Sequence, residues 1–208
     1  MTLVKICGIT NLPDALAAVE AGADLLGFNF YPPSPRYIEP RKAREIIDQL
    51  PPHVLTVGVF VNQGTPDSLR QIATEAHVAA VQLHGDESPA YCQELSDLYV
   101  IKVLAVGENF NVQLAAAYDV KAIMLDASDK KLRGGTGRVF DWSVAEEVRK
   151  LVPRLFLAGG LSTENVQQAI SSVNPYGVDA CSSLEDVPGK KNHQRLRAFV
   201  KAIRDVKL

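Results

Sequence analysis

The sequence predicts a single-domain α/β protein, residues 1–208, whose eight strands close into a (β/α)8 barrel. Three observations predict it. Short apolar, β-branched runs alternate with helical stretches in eight successive pairs, repeating every roughly twenty to thirty residues. Eight such units close a parallel sheet into a barrel, and the chain length fits that architecture. The first strand-to-helix turn reads Cys7-Gly8-Ile9-Thr10, without the Gly-x-Gly-x-x-Gly turn that an open doubly wound sheet usually carries there.

The elements follow in order. Leu3 to Ile9 is a strand; Asn11 caps a helix with Pro13 in its first turn, and Ala21-Gly22 stops it. Asp24 to Phe30 is the second strand, followed by a proline-rich loop and a helix from Pro40 to Leu50. Leu55 to Val61 leads to a helix opened by Thr65-Pro66-Asp67 and ending at Ala76. Ala79 to His84 pairs with a helix from Glu87 to Asp97, and Tyr99 to Val106 with one from Asn111 to Tyr118. Lys121 to Ala127 is the sixth strand; a polar, glycine-rich loop, Ser128 to Arg138, delays its helix to about Ser143. Leu155 to Ala158 with Thr163 to Val173, then Gly177 to Cys181 with Asn192 to Val206, complete the eight pairs.

Composition narrows the partner. Hydrophobic residues make up 47% and charged residues 22%, as in soluble globular proteins, which excludes a disordered chain. The net charge of -2 comes from interspersed groups, so there is no basic field for nucleic acid or an anionic membrane. No apolar run approaches the roughly 18 residues of a membrane span, and no targeting leader precedes the first strand. Cys7, Cys92 and Cys181 are odd in number and lack metal-ligand spacing, which points away from a disulfide framework or a metal site and toward a reducing cytoplasm. A small-molecule partner is expected.

In a barrel the active site lies where strands end and the next loops begin. Those ends carry Cys7, Arg36, His84, Asp126, Gly159-Gly160, Asp179 and Ser182-Ser183. Period-two alternation places Cys7 on the face of Lys5, His84 on that of Gln82, and Asp126 on that of Met124. A thiol and a carboxylate facing one cavity divide proton transfer between them. Cys7 as a base must be a thiolate, for which Lys5 is the neighbouring cation. Asp126 as an acid needs a raised pKa, and desolvation acts in that direction. His84 is read as a packing or hydrogen-bonding residue. Gly159-Gly160 and Ser182-Ser183 fall in the loops where barrels often hold phosphate. Arg36, in a loop with Pro32, Pro33 and Pro35 that restrict the backbone, suits a planar carboxylate. Arg133 to Arg138 is read as a flap over the site.

The ordered set Lys5-Ile6-Cys7-Gly8-Ile9-Thr10, Ser34-Pro35-Arg36-Tyr37, Gln82-Leu83-His84-Gly85, Leu125-Asp126, Gly134-Gly135-Thr136-Gly137, Ala158-Gly159-Gly160-Leu161 and Asp179 to Glu185 resembles the phosphoribosylanthranilate isomerase family of tryptophan biosynthesis. The resemblance covers essentially the whole chain. It implies a (β/α)8 barrel that carries out a cofactor-free, metal-free Amadori rearrangement of N-(5-phosphoribosyl)anthranilate; a cytoplasmic monomer or homodimer is expected, with the choice between the two left open. It puts the general base on Cys7, the general acid on Asp126, the anthranilate-carboxylate contact on Arg36 and the phosphate loops on Gly159, Gly160, Ser182 and Ser183. It also puts an orienting role toward the anthranilate amino group on Asp179. One position departs: Ser183 stands where the family usually has glycine. If that position requires positive φ, Ser183 is strained; otherwise its hydroxyl adds a donor for phosphate. The alternatives are the histidine-pathway aminoaldose isomerase, which normally carries aspartate at the end of strand one, and a noncatalytic phosphosugar-binding barrel.

Overall fold

The computed structural model of the protein describes residues 1–127 and 141–206. Among these, eight parallel strands, β1 (Leu3–Ile6), β2 (Leu25–Asn29), β3 (Leu55–Phe60), β4 (Ala80–Leu83), β5 (Tyr99–Ala105), β6 (Ala122–Asp126), β7 (Leu155–Leu157) and β8 (Gly177–Ala180), form a closed barrel in chain order. Closure is made by β8 against β1, from Leu3↔Gly177 to Ile6↔Ala180. The predicted barrel is therefore the observed one. The glycine-rich stretch read as a flap, Arg133 to Arg138, lies outside the described residues.

The helices around the barrel are α1 (Leu12–Ala21), α2 (Pro40–Ile47), α3 (Pro66–Ala76), α4 (Pro89–Glu94), α5 (Trp142–Leu151), α6 (Val166–Val173) and α7 (His193–Arg204). Their starts are set by local chemistry. Asn11 accepts from Asp14 N, Thr65 and Ser68 form a reciprocal capping box, and Ser88 accepts from Tyr91 N. Each satisfies an amide that the first turn leaves unpaired. A proline follows in the first turn of α1, α3 and α4, where its missing N–H costs nothing.

Two expectations are corrected. The fifth helix is a 3-10 helix, Val112–Ala117, ending at an extended Tyr118. The Tyr118 hydroxyl donates to Glu87 O at 3.2 Å, which ties down the end of this short segment. Between β8 and α7 there is a small antiparallel hairpin, β9 (Glu185–Val187) with β10 (Lys190–Lys191), that the strand pattern did not reveal.

The apolar residues form two cores. Leu25, Val57, Ile101, Met124 and Phe156 fill the inside of the barrel, while the alternate residues Leu26, Ile123, Leu125 and Val178 pack outward beneath the helices. That alternation is why Asp126 points inward, two residues after Met124. Toward the carboxyl ends of the strands the interior turns polar, with Lys5, Gln82, Asp126 and Asp179 all buried.

Candidate active site

These polar groups open into a cavity at the carboxyl end of the barrel. Cys7, Arg36, His84, Asp126, Asp179, Gly159, Gly160, Ser182 and Ser183, the residues singled out from sequence, all line it.

On one side, Lys5 and Asp179 are register partners on β1 and β8. Lys5 Nζ donates to Asp179 Oδ1 at 2.7 Å, and the lysine side chain has no solvent exposure. Burial opposes its charge, but Asp179 and Cys7 outweigh that and hold the ammonium protonated. Burial pushes the Asp179 carboxyl up to about 6, against the pull of Lys5. Cys7 follows one residue beyond β1. Its thiol is held well below the usual range by a hydrogen bond from Cys181, with Lys5 and Lys191 adding positive charge, and together these overcome the burial that would raise it. Glycine on β2 makes the room: a Cβ on Gly27 would lie 2.7 Å from Cys7 Sγ and 3.0 Å from Lys5 Nζ.

On another side, His84 Nε2 lies 3.2 Å from Asp126 Oδ2. The other ring nitrogen, Nδ1, is 3.1 Å from Gln82 Nε2. The Gln82 bond fixes the ring beside the carboxylate, while Nε2 itself makes no hydrogen bond among the described residues. The loop that carries His84 is pinned by a buried cation: Lys102 Nζ donates to Gly85 O at 2.8 Å and to Glu87 Oε2 at 2.7 Å. Glu87 Oε1 also accepts from Asn62 N at 2.7 Å, tying this loop to the one after β3.

Arg36 is held on several sides. Ser34 Oγ accepts from Arg36 N at 3.2 Å and from Asn29 Nδ2 at 3.1 Å, which shapes the proline-rich loop. The guanidinium passes over Gly8, where a Cβ would be 2.8 Å from Arg36 Cδ and where φ is +76°. Its Nε donates to Glu185 at 3.0 Å and its Nη2 at 2.6 Å. Those bonds use one edge of the planar fork and leave the Nη1–Nη2 edge for a second carboxylate. Glu185 is in turn held by Lys191 Nζ at 2.9 Å and by Gly189 N at 3.2 Å.

The loops after β7 and β8 face each other. Gly159 and Gly160 have φ of +79° and +69°, and a Cβ on Gly159 would fall 2.7 Å from Asp126 Oδ1. Positive φ at two successive positions is open to glycine at little steric cost and lets a ligand come close to the backbone there. Ser183 is not among the positive-φ residues, so serine is unstrained there. Its hydroxyl donates to Leu161 O at 2.6 Å. That bond joins the two loops and takes the hydroxyl proton away from any anion.

Sequence reasoning missed Glu185, Lys191 and the placement of Cys181. Pro188-Gly189 was the available signal for the hairpin that delivers Lys191. Nothing local distinguishes a buried Lys191 from its exposed neighbour Lys190; its partners Glu185 and Cys181 do.

Residues 4–202 match the family model described as N-(5'phosphoribosyl)anthranilate (PRA) isomerase. The N-(5'-phosphoribosyl)anthranilate isomerase of Thermotoga neapolitana is 48% identical over 202 residues, covering 97% of this chain and 98% of that one. The crystal structure of phosphoribosyl anthranilate isomerase from Thermotoga maritima superposes with a TM-score of 0.92 at 43% identity, covering 98% and 99% of the two chains. A phosphoribosyl anthranilate isomerase in complex with reduced 1-(o-carboxyphenylamino)-1-deoxyribulose 5-phosphate superposes with a TM-score of 0.88 at 43% identity and the same coverage. The chain belongs to the N-(5'-phosphoribosyl)anthranilate isomerase family.

Proposed function

We propose that Cys7 is the general base and Asp126 the general acid of the reaction this chain catalyses, the Amadori rearrangement of N-(5-phosphoribosyl)anthranilate in tryptophan biosynthesis. The observation that carries the assignment is the placement of a lowered-pKa thiol, held by Lys5 and Cys181, and an inward carboxylate on one cavity.

Asp126 gives a proton to the furanose ring oxygen as the ring opens to an iminium. The Cys7 thiolate removes the proton from the sugar C2, and the electron pair moves into the iminium to form an enolamine. The enolamine tautomerises to the ketone, 1-(2-carboxyphenylamino)-1-deoxyribulose 5-phosphate. Because the substrate's own iminium takes up the electrons, the protein supplies placement and two proton transfers. Lys5 keeps positive charge beside the thiolate, and His84 Nε2 stands 3.2 Å from the Asp126 carboxyl. The open edge of Arg36 takes the anthranilate carboxylate, and Asp179, whose Oδ1 is engaged by Lys5, offers Oδ2 to the anthranilate amino group. Gly159, Gly160, Ser182 and Ser183 bind phosphate through backbone N–H groups, a role supported by the paired left-handed glycines.

We place the enzyme in the cytoplasm, in keeping with three free cysteines. The test is loss of anthranilate-substrate fluorescence with the wild-type chain and with Asp126→Asn. The wild type converts the substrate, and Asn, which matches Asp in shape but cannot deliver the proton, lowers kcat by about 10²–10⁴. A variant that keeps most of its rate would remove Asp126 from the acid role.

A further inference from the structure

The β1–β8 register that pairs Lys5 with Asp179 and Ile6 with Ala180 leads, one residue on, to Cys7 beside Cys181. Cys7 N donates to Ala180 O at 3.0 Å, so the pairing continues past the ends of both strands. Neighbouring strands lie about 4.7–4.9 Å apart, inside the Cα separation of about 4.4–6.8 Å that a disulfide accepts. Both thiols are half-buried and line the same open cavity. The third cysteine, Cys92, is fully buried on α4, where burial pushes its thiol up to about 11.

We propose that Cys7 and Cys181 form a reversible oxidation site that closes to a disulfide in the presence of a hydroperoxide. The Cys7 thiolate attacks the peroxide oxygen, forming an S–O bond as the O–O bond breaks, and water leaves after protonation. The Cys181 sulfur then attacks the resulting sulfenic acid, forming the S–S bond and releasing a second water. Two thiols are oxidised by two electrons and one hydrogen peroxide is reduced to two waters. Thiolate character favours Cys7 as the first nucleophile. Lys191 Nζ, 3.7 Å from Cys181 Sγ, supplies positive charge to the resolving thiol as it ionises. The disulfide stands on this geometry alone; its effect on turnover rests on Cys7 being the base.

The experiment treats the purified chain with hydrogen peroxide, then reads intact mass, a non-reduced peptide map and the rate before and after dithiothreitol. The expected product has lost two hydrogens, yields a Cys7–Cys181 linked peptide, has lost most of its rate and regains it on reduction. In Cys181→Ser, with no resolving thiol, Cys7 proceeds to the sulfinic acid and the rate, relative to that variant's own untreated value, is not regained. Stable oxygen adducts on Cys7 of the wild type, with Cys181 still a free thiol, would overturn the proposal. A linked peptide in a protein that keeps its full rate would leave the disulfide standing and overturn the base assignment instead.

Discussion

Lys5 and Asp179 face each other in register on β1 and β8, and their 2.7 Å ion pair sits inside the barrel directly beneath Cys7. A lysine fully withdrawn from water serves two anions there, the carboxylate and the thiolate.

Removing that cation should therefore change both folding and pH dependence. Lys5→Met leaves Asp179 buried without its partner, and we expect a loss of about 3–5 kcal/mol in denaturant unfolding. The wild-type thiol, depressed by Cys181 and Lys5, loses its proton at lower pH than a free thiol. Thiolate is thus present above the depressed value, and activity falls only as pH drops through it. The wild-type kcat/KM should be flat through about pH 8.5, where an ordinary thiol titrates. Lys5→Met should instead show a rate rising with pH across that region. A flat profile in the variant would mean that Lys5 does not tune Cys7.

The second buried pair is a scaffold for His84. Lys102 and Glu87 are 2.7 Å apart with almost no exposure, so Lys102→Met should cost about 3–5 kcal/mol. Arg41→Ala, which breaks an exposed pair with Glu75, should not move the unfolding midpoint measurably. Equal effects of the two substitutions would contradict the weight placed on burial.

Arg36→Ala should discriminate between ligands. A charge-assisted bond to carboxylate is worth about 1.5–3 kcal/mol, so affinity for the reduced anthranilate-bearing product analogue should fall by roughly 10–100-fold. Affinity for ribulose 5-phosphate, which lacks the carboxylate, should change little. Parallel losses in calorimetric titrations would refute the carboxylate assignment.

Ser183→Gly tests the position where serine replaces the usual glycine. With its hydroxyl on Leu161 O, the change should cost about 0.5–1.5 kcal/mol of stability and leave affinity for inorganic phosphate nearly unchanged. A large loss of phosphate binding would show that the hydroxyl contacts the anion.

The barrel was legible because buried parallel strands are apolar runs and α1 and α3 announce themselves at the start, α1 through a cap and both through a proline in the first turn. The inward aim of Asp126 was legible from its spacing to Met124. What escaped were features set by distant partners. Val112 to Ala117 is helix-favouring by composition, yet Tyr118 is tied to Glu87 and the turn stays 3-10. Lys191 reads as a surface residue until the hairpin turns it onto Glu185. Cys181 reads as a spare thiol until the register sets it beside Cys7.

The central claim is that Cys7 takes the proton from the sugar carbon. Its most direct test is the single-turnover rate of fluorescence loss from N-(5-phosphoribosyl)anthranilate in Cys7→Ala, together with binding of the reduced product analogue. The account predicts a rate lower by about 10²–10⁴ with affinity essentially kept. A rate close to wild type in Cys7→Ala would contradict it.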